Sequence, residues 1–452
     1  MSNLLVVKLE ELAAEIGEDA KVFPRELAER IPADLLAEAR RIGVDVFALG
    51  FRDLIAKITT WAFDHLNLIF KILRAVQPVL VFRNFALVTR YQDVVDALAA
   101  DDVFGTTNDQ QLRDVTGNPF LLGMANTPEY ARDQTNLRLA IRRSDLPARV
   151  VPFVGAAAQA AVAAANGRLE IVGGLTRAVP AAWVGDYFGV PGPTSTMLVD
   201  WSVKIFDYLT IPTGTNPAGE LAGIVAGKEF QLYLDVLIEE RHIRPGDHDD
   251  VLGRLVALQK ANPGLPGLTR ELIKSNLVGM ISGAIPPMAT MAAIAVDQLL
   301  ARPDALQGAQ AAARAGDDAL LGRWIDEAMR MRPIGPGVLR RTTTDWVAGR
   351  TQWYEKTIPK GTTVMVATQS AMFDEALYAD PDAFRIDRNL YNFLLFGSGQ
   401  HTCFGKYIVD ALLPPLLRPL LARENLRRAQ GAAGQLQMAG VQAASLTLEF
   451  TP

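Results

Sequence analysis

Cysteine is almost absent: Cys403 is the only one in 452 residues. A sole cysteine forms no intrachain disulfide, which excludes a disulfide-stapled scaffold and fits a reducing compartment. Histidine is scarce too, at His65, His242, His248 and His401. Only His242 and His248 are near one another, in a Gly/Pro/Asp turn with no third ligand nearby, so a surface pair is expected and not a multi-histidine metal site. Charge of one sign is also lacking, with 45 basic against 50 acidic residues, a net charge of −5 and no Lys/Arg block. That balance excludes nucleic acid as a partner. There is no Walker loop, no Gly-x-Gly-x-x-Gly following a strand and no His-Glu-x-x-His. The N-terminus shows no basic region followed by an apolar run and a small-residue cleavage site, so a cytoplasmic protein is expected. One uncharged stretch, Leu277 to Val296, has roughly the length a bilayer needs. It contains Pro286-Pro287 and lacks basic asymmetry across it, so it is expected as a buried helix and not a transmembrane segment.

Hydrophobic residues make up 49% of the chain and charged residues 21%, enough for a sizeable core. Length alone suggests two or three domains. Residues 1–50 read as short amphipathic helices with Pro24 and Pro32 at their starts, and 51–77 continues helical with Trp61, Leu66 and Phe70 as bulk. Val79 to Thr89 reads as a hairpin around Arg83-Asn84, and Trp346 to Val366 as a small antiparallel sheet turning at 358–362. Phe104 to Met124, rich in Thr, Asn, Asp and Gly, reads as a long loop. Between loops at 189–196 and 212–220 stand bulky Trp201, Ile205, Phe206 and Tyr208, and Asp249-Asp250 reads as a helix cap. The Ala/Gln/Gly-rich 429–444 is expected as a loop.

The richest stretch is Phe396-Gly397-Ser398-Gly399-Gln400-His401-Thr402-Cys403-Phe404-Gly405. A lone thiol is often an ordinary buried side chain. Glycines on both sides instead let the backbone turn tightly and pass close to something bulky, and exposed amides stabilise a thiolate. A soft anionic ligand on such a loop suits an axial bond to heme iron, with His401 as a cation for a propionate. Phe396, Gly397, Gly399, His401, Cys403 and Gly405 resemble, position for position, the heme-binding signature of the cytochrome P450 superfamily.

The resemblance implies a mainly α fold with small antiparallel sheets: a single P450 domain over 1–452, with 1–50 as a helical extension and 51–452 as the core. It implies heme b, iron protoporphyrin IX, with Cys403 as the proximal thiolate, Phe396 near the heme face and His401 near a propionate. Glu327-Ala328-Met329-Arg330 resembles the family's Glu-x-x-Arg element, whose spacing puts both side chains on one helix face. Arg340, with Arg341 competing, matches a propionate-binding arginine. Tyr130 and Gln134 stand where the family has a histidine and an arginine, so Arg132 or Arg138 is expected to supply the charge. Met372-Phe373 replaces the usual Asn-Arg before Asp374, leaving more of the supporting network to Arg388.

The largest departure lies in the central helix, where Pro286 and Pro287 align with the family's acid and alcohol. Two prolines remove two amide donors and are expected to kink or open the helix. Ser282 and Thr290, about one turn either side, could hold a water in place of the lost proton relay. The resemblance therefore implies monooxygenation of an apolar small molecule, with ferredoxin or another electron donor as partner. An alternative is a peroxygenase or organic-hydroperoxide isomerase or dehydratase that needs no donor. A further alternative is a heme- or ligand-binding protein without turnover. After the cysteine, Val409, Asp410 and Leu412 depart from the family pattern, Pro414-Pro415 is expected to interrupt the helix early, and both weaken a conventional donor surface.

Overall fold

The computed structural model describes residues 66–210, 216–244, 246 and 248–452. The extension expected over 1–50, together with Trp61 and His65, lies outside the described residues. The chain sorts into two compact units: the described part of the first covers 66–107, 335–383 and 391–402, and the second is drawn from 108–334, 384–390 and 403–452.

The first unit is built on a mixed sheet. Strands β1 (Val79–Phe82) and β2 (Phe85–Val88) form the expected hairpin, pairing Val79 with Val88 and Phe82 with Phe85, and Arg83 takes a positive φ of 49° at the turn. With β3 (Phe104–Gly105), β4 (Val338–Thr342) and β5 (Thr363–Val366), the order across the sheet is β1-β2-β5-β4-β3. Every residue of β2 is buried, so it reads as an apolar run without alternation. Phe85 and Leu87 join Met365, Ala367 and Phe70, from the helix over 66–76, in one apolar cluster.

The single small sheet expected over 346–366 is corrected. Trp346–Ala348 pairs with Lys356–Ile358 alone, while the largely buried Thr-Val-Met-Val of β5 takes a central place, parallel to β2 and antiparallel to β4. Helix α1 (Tyr91–Ala99) begins where Asp374 accepts the Tyr91 amide at 2.9 Å and Arg90 Nη1 at 3.0 Å, a carboxylate at the positive end of a helix.

The second unit is helical. Its principal elements are α2 (Pro128–Ala140), α3 (Ser195–Thr210), α4 (Pro217–Ile243), α5 (Arg270–Ser282), α6 (Ile285–Leu300), α7 (Asp318–Met331) and α8 (Lys406–Leu421). Trp201 of α3 stacks on Phe230 of α4 with ring centroids 5.4 Å apart and gives its indole N–H to Glu229. Asp250 caps the helix from Val251 by accepting the Gly253 amide, as its position suggested. His242 lies against the Ile238 carbonyl and Gln259, and His248 against Arg241.

Three expectations for this unit are overturned. The loop proposed for 104–124 contains a helix, Asp109–Thr116, because Leu112 and Val115 share a buried face and Asp109 pairs with Arg113 one turn on. Helix α8 is not interrupted at Pro414-Pro415: it runs through Pro414, Pro415 and Pro419, held by the buried Leu412–Leu417 surface packed against the helix Val151–Ala164. The stretch 429–444 is no loop throughout, since Gln437–Ala439 and Gln442–Ser445 pair as a hairpin.

Candidate functional site

In chain order the cysteine stretch closes the 391–402 segment of the first unit and is followed by α8 of the second. Gly397 and Gly399 both hold left-handed φ angles, 72° and 73°, which any L side chain resists. A Cβ at Gly399 would also collide with the Leu98 carbonyl oxygen, whereas the space beside Gly397 is open for 4 Å. Thr402 then bonds back to the Gly399 carbonyl through its amide and its hydroxyl.

Cys403 is exposed and stands just ahead of α8, where the Gly405 and Lys406 amides donate to its sulfur. The Lys406 amide also donates to the Cys403 carbonyl at 3.1 Å, so the sulfur shares it with the backbone. Desolvation by the surrounding protein pushes the thiol pKa up, and the two amides pull the other way. A bound cation at the sulfur would complete what the amides begin.

In the helical unit, α7 carries the Glu327/Arg330 pair. Both side chains are at most 1% exposed, with Arg330 Nε and Nη2 each 2.8 Å from a different Glu327 oxygen. Glu327 also accepts the Arg385 amide at 2.9 Å and Arg388 Nε at 3.3 Å. Two guanidinium groups and an amide saturate one buried carboxylate, which is how a buried charge is tolerated.

The other predicted ligands fall as follows. In the sheet unit, Arg340 is half-buried while Arg341 points outward. Burial, and next the charge of Arg340, lower the pKa of His401, whose Nε2 lies 4.0 Å from Asp101. Both favour the neutral imidazole over the cation expected of His401, while the Arg340 guanidinium is a permanent cation. Phe396 is half-buried in the same unit. In the helical unit, Tyr130 is buried with its hydroxyl accepting from Gln134 at 3.1 Å. Arg132 is paired with Asp133 at 2.7 Å, and Arg138 instead lies over the Phe404 ring at 5.0 Å, next to the cysteine.

The central helix breaks at Gly283-Ala284, between α5 and α6. Pro286 and Pro287 sit in the first turn of α6, where a missing amide costs least. Their loss falls on the preceding carbonyls: Gly283 would receive the amide of residue 287, and Met288 already donates to Ala284. Around the break the helix is buried except for Met280, Gly283, Ala284, Pro287 and Met291, a stripe with helical spacing. Pro286 is buried on another face, and so is Ser282, whose hydroxyl meets no partner among the described residues. Thr290 Oγ1 accepts the Ala443 amide at 3.0 Å, tying α6 to the C-terminal hairpin.

The family model "Cytochrome P450" matches residues 227–411, which span α4 to α8 and include the Glu327/Arg330 pair and the cysteine loop. The chain belongs to the cytochrome P450 superfamily. It is 27% identical over 386 residues to a steroid C26-monooxygenase of Mycolicibacterium smegmatis, covering 84% of this chain and 91% of that protein. It is 26% identical over 332 residues to the cyclomarin C epoxidase CymV of Salinispora arenicola, covering 70% and 77%. In fold it is similar to CalO2, with a TM-score of 0.73 at 22% identity over 88% of this chain and 98% of that one.

As a P450, the chain has residues in each unit that fit a heme: in the second, an exposed thiol already receiving two amides, and in the first, open space beside Gly397 and a charged Arg340 near His401. Sequence reasoning left Arg132 and Arg138 as alternatives, and only their contacts separate them. It missed Asp326, a carboxyl pushed up to about 7 by burial and next by Asp410, against the pull of Lys406 and Arg323. No sequence signal marks that residue, because its neighbours come from the helix after the cysteine.

Proposed function

We propose that this P450 oxygenates an apolar organic molecule, with Cys403 as the thiolate ligand of a heme b. The observation that carries the reading is the Cys403 sulfur at the start of α8, exposed and receiving the Gly405 and Lys406 amides. When bound, the heme supplies the iron that activates the oxidant. The chain's own residues hold it in place. The Thr402–Gly399 turn shapes the backbone just before Cys403, and the Glu327–Arg330–Arg388 network holds the 384–390 segment that precedes the loop in the chain. Arg340 and His401 supply a cation and a donor for a propionate. The relatives named as a steroid C26-monooxygenase and a cyclomarin C epoxidase support a bulky, largely apolar substrate. Ferredoxin or another reductant would supply electrons.

One observation favours a second reading, in which a peroxide or organic hydroperoxide serves as oxidant. The accessible stripe of Met280, Gly283, Ala284, Pro287 and Met291 carries no hydroxyl, carboxyl or amine. Its polar feature is the Gly283 carbonyl freed by Pro287, which accepts a proton donor but cannot pass a proton on. A substrate that already contains an O–O bond needs no protons delivered to build one.

Product analysis separates the two. Holoprotein is incubated with a lipid panel, once with labelled dioxygen plus a reductase–ferredoxin pair and once with hydrogen peroxide or lipid hydroperoxides alone. Labelled product from the first arm only supports the donor-dependent reading. Product from the second arm only supports the peroxide reading, and product from neither, in heme-replete protein, counts against both.

A further inference from the structure

Helix α4 carries a second apolar face. Leu221, Val225, Leu232, Val236 and Ile243 are each between 43% and 69% exposed. At about 100° per residue they lie within about 60° of arc and form a ridge about 33 Å long. The helix already buries another face through Gly223, Phe230, Leu234 and Ile238, so the ridge is surplus to its packing. Single exposed aliphatics are ordinary, but five along one line, interrupted there by only Lys228 and Glu239, mark a binding surface.

The ridge matches itself. Leu221 and Ile243 stand eleven residues to either side of Leu232. A copy laid antiparallel about a two-fold axis through Leu232 sets Leu221 against Ile243 and Leu232 against Leu232, with Val225 level with Glu239 and Val236 level with Lys228. In such a pair like flanks meet. Lys228 is exposed, and it comes level with Val236 of the second copy, within one turn of Glu239 there. Arg270 occupies Glu239 Oε2 at 2.7 Å, which leaves Oε1 for that lysine, and the two-fold repeats the pair. A bilayer is a poorer occupant, since Lys228 and Glu239 stand on the line itself, whereas a helix lying in a membrane interface keeps its charges on the opposite face.

We infer that α4 is a homodimer interface, in which two copies of this chain pair antiparallel through the Leu221–Ile243 ridge with Lys228 and Glu239 in reciprocal contact. The inference is independent of the heme reading.

Sedimentation velocity and light scattering on the full-length holoprotein over a concentration series test it. The expected result is a monomer–dimer equilibrium. Leu232→Glu puts two like charges on the axis and raises the dissociation constant about tenfold or more. Lys228→Glu weakens the dimer, and adding Glu239→Lys recovers it. All these side chains are exposed, so an unchanged heme spectrum and circular dichroism show that the variants fold. A wild-type chain that is monomeric at every concentration overturns the proposal, as does a dimer that Leu232→Glu leaves intact. A monomer that floats with phosphatidylcholine vesicles also overturns it and points to lipid.

Discussion

Glu327 grips Arg330 through both carboxylate oxygens at 2.8 Å, and Arg388 reaches the same carboxylate at 3.3 Å. Removing the acid takes away the carboxylate that two buried guanidinium groups share, a loss of about 3–5 kcal/mol. Glu327→Gln is expected to unfold at lower denaturant concentration by that amount and to purify with little heme. Arg388→Ala keeps the bidentate pair and is expected to lose less stability. Chemical denaturation with heme quantification checks both.

Pro287 deprives the Gly283 carbonyl of its helical donor. Pro287→Ala restores an amide there and is expected to stabilise the helical unit by about 1 kcal/mol, the net worth of one hydrogen bond. Pro287→Thr adds a hydroxyl to the accessible stripe. Under the donor-dependent reading it raises the share of reducing equivalents recovered as product; under the peroxide reading it leaves peroxide-driven turnover dominant. Stoichiometry of reductant consumed to product formed distinguishes the outcomes.

Asp326 gives a pH signature. Its folded carboxyl is pushed up to about 7, first by burial and then by Asp410, from an ordinary value of 3.8. The native state therefore holds this proton more tightly than the unfolded chain. The stability it contributes is full below the ordinary carboxylate range and is lost as pH rises toward 7. Asp326→Asn removes the charging penalty. It is expected to gain about 1–2 kcal/mol at pH 8 and almost nothing at pH 4, a range discounted for partial solvent access. Thermal melts across pH measure it.

Arg340 and Arg341 alternate in β4, with the first half-buried and the second exposed. Arg340→Ala is expected to weaken heme retention about tenfold or more, the worth of a charge-assisted hydrogen bond, while Arg341→Ala leaves it unchanged. Heme transfer to apomyoglobin gives both rates.

Much of this was legible in the sequence where residue type alone forces the local form. The hairpin at Arg83-Asn84, the cap at Asp250, the Glu327/Arg330 pair and the glycines around Cys403 all belong to that class. The misses share a different cause. Helix Asp109–Thr116 is polar on most of its surface and is stabilised by two buried apolar residues, Leu112 and Val115, and an ion pair, so composition read it as a loop. Pro414 and Pro415 should break a helix, yet tertiary burial of α8 outweighs the lost amides. The break in the central helix was foreseen, but it falls before the prolines, at Gly283-Ala284, where the chain is free to turn. Whether Arg132 or Arg138 approached the cysteine depended on contacts that no spacing rule encodes.

The central claim is that Cys403 ligates heme iron as a thiolate, and one spectrum tests it most directly. Reduced holoprotein under carbon monoxide is predicted to show the strongly red-shifted absorption band of a thiolate-ligated heme, and Cys403→Ser, refolded with heme, is predicted to lose it. An intact, heme-replete protein that lacks this band, or a Cys403→Ser variant that keeps it, would contradict the account.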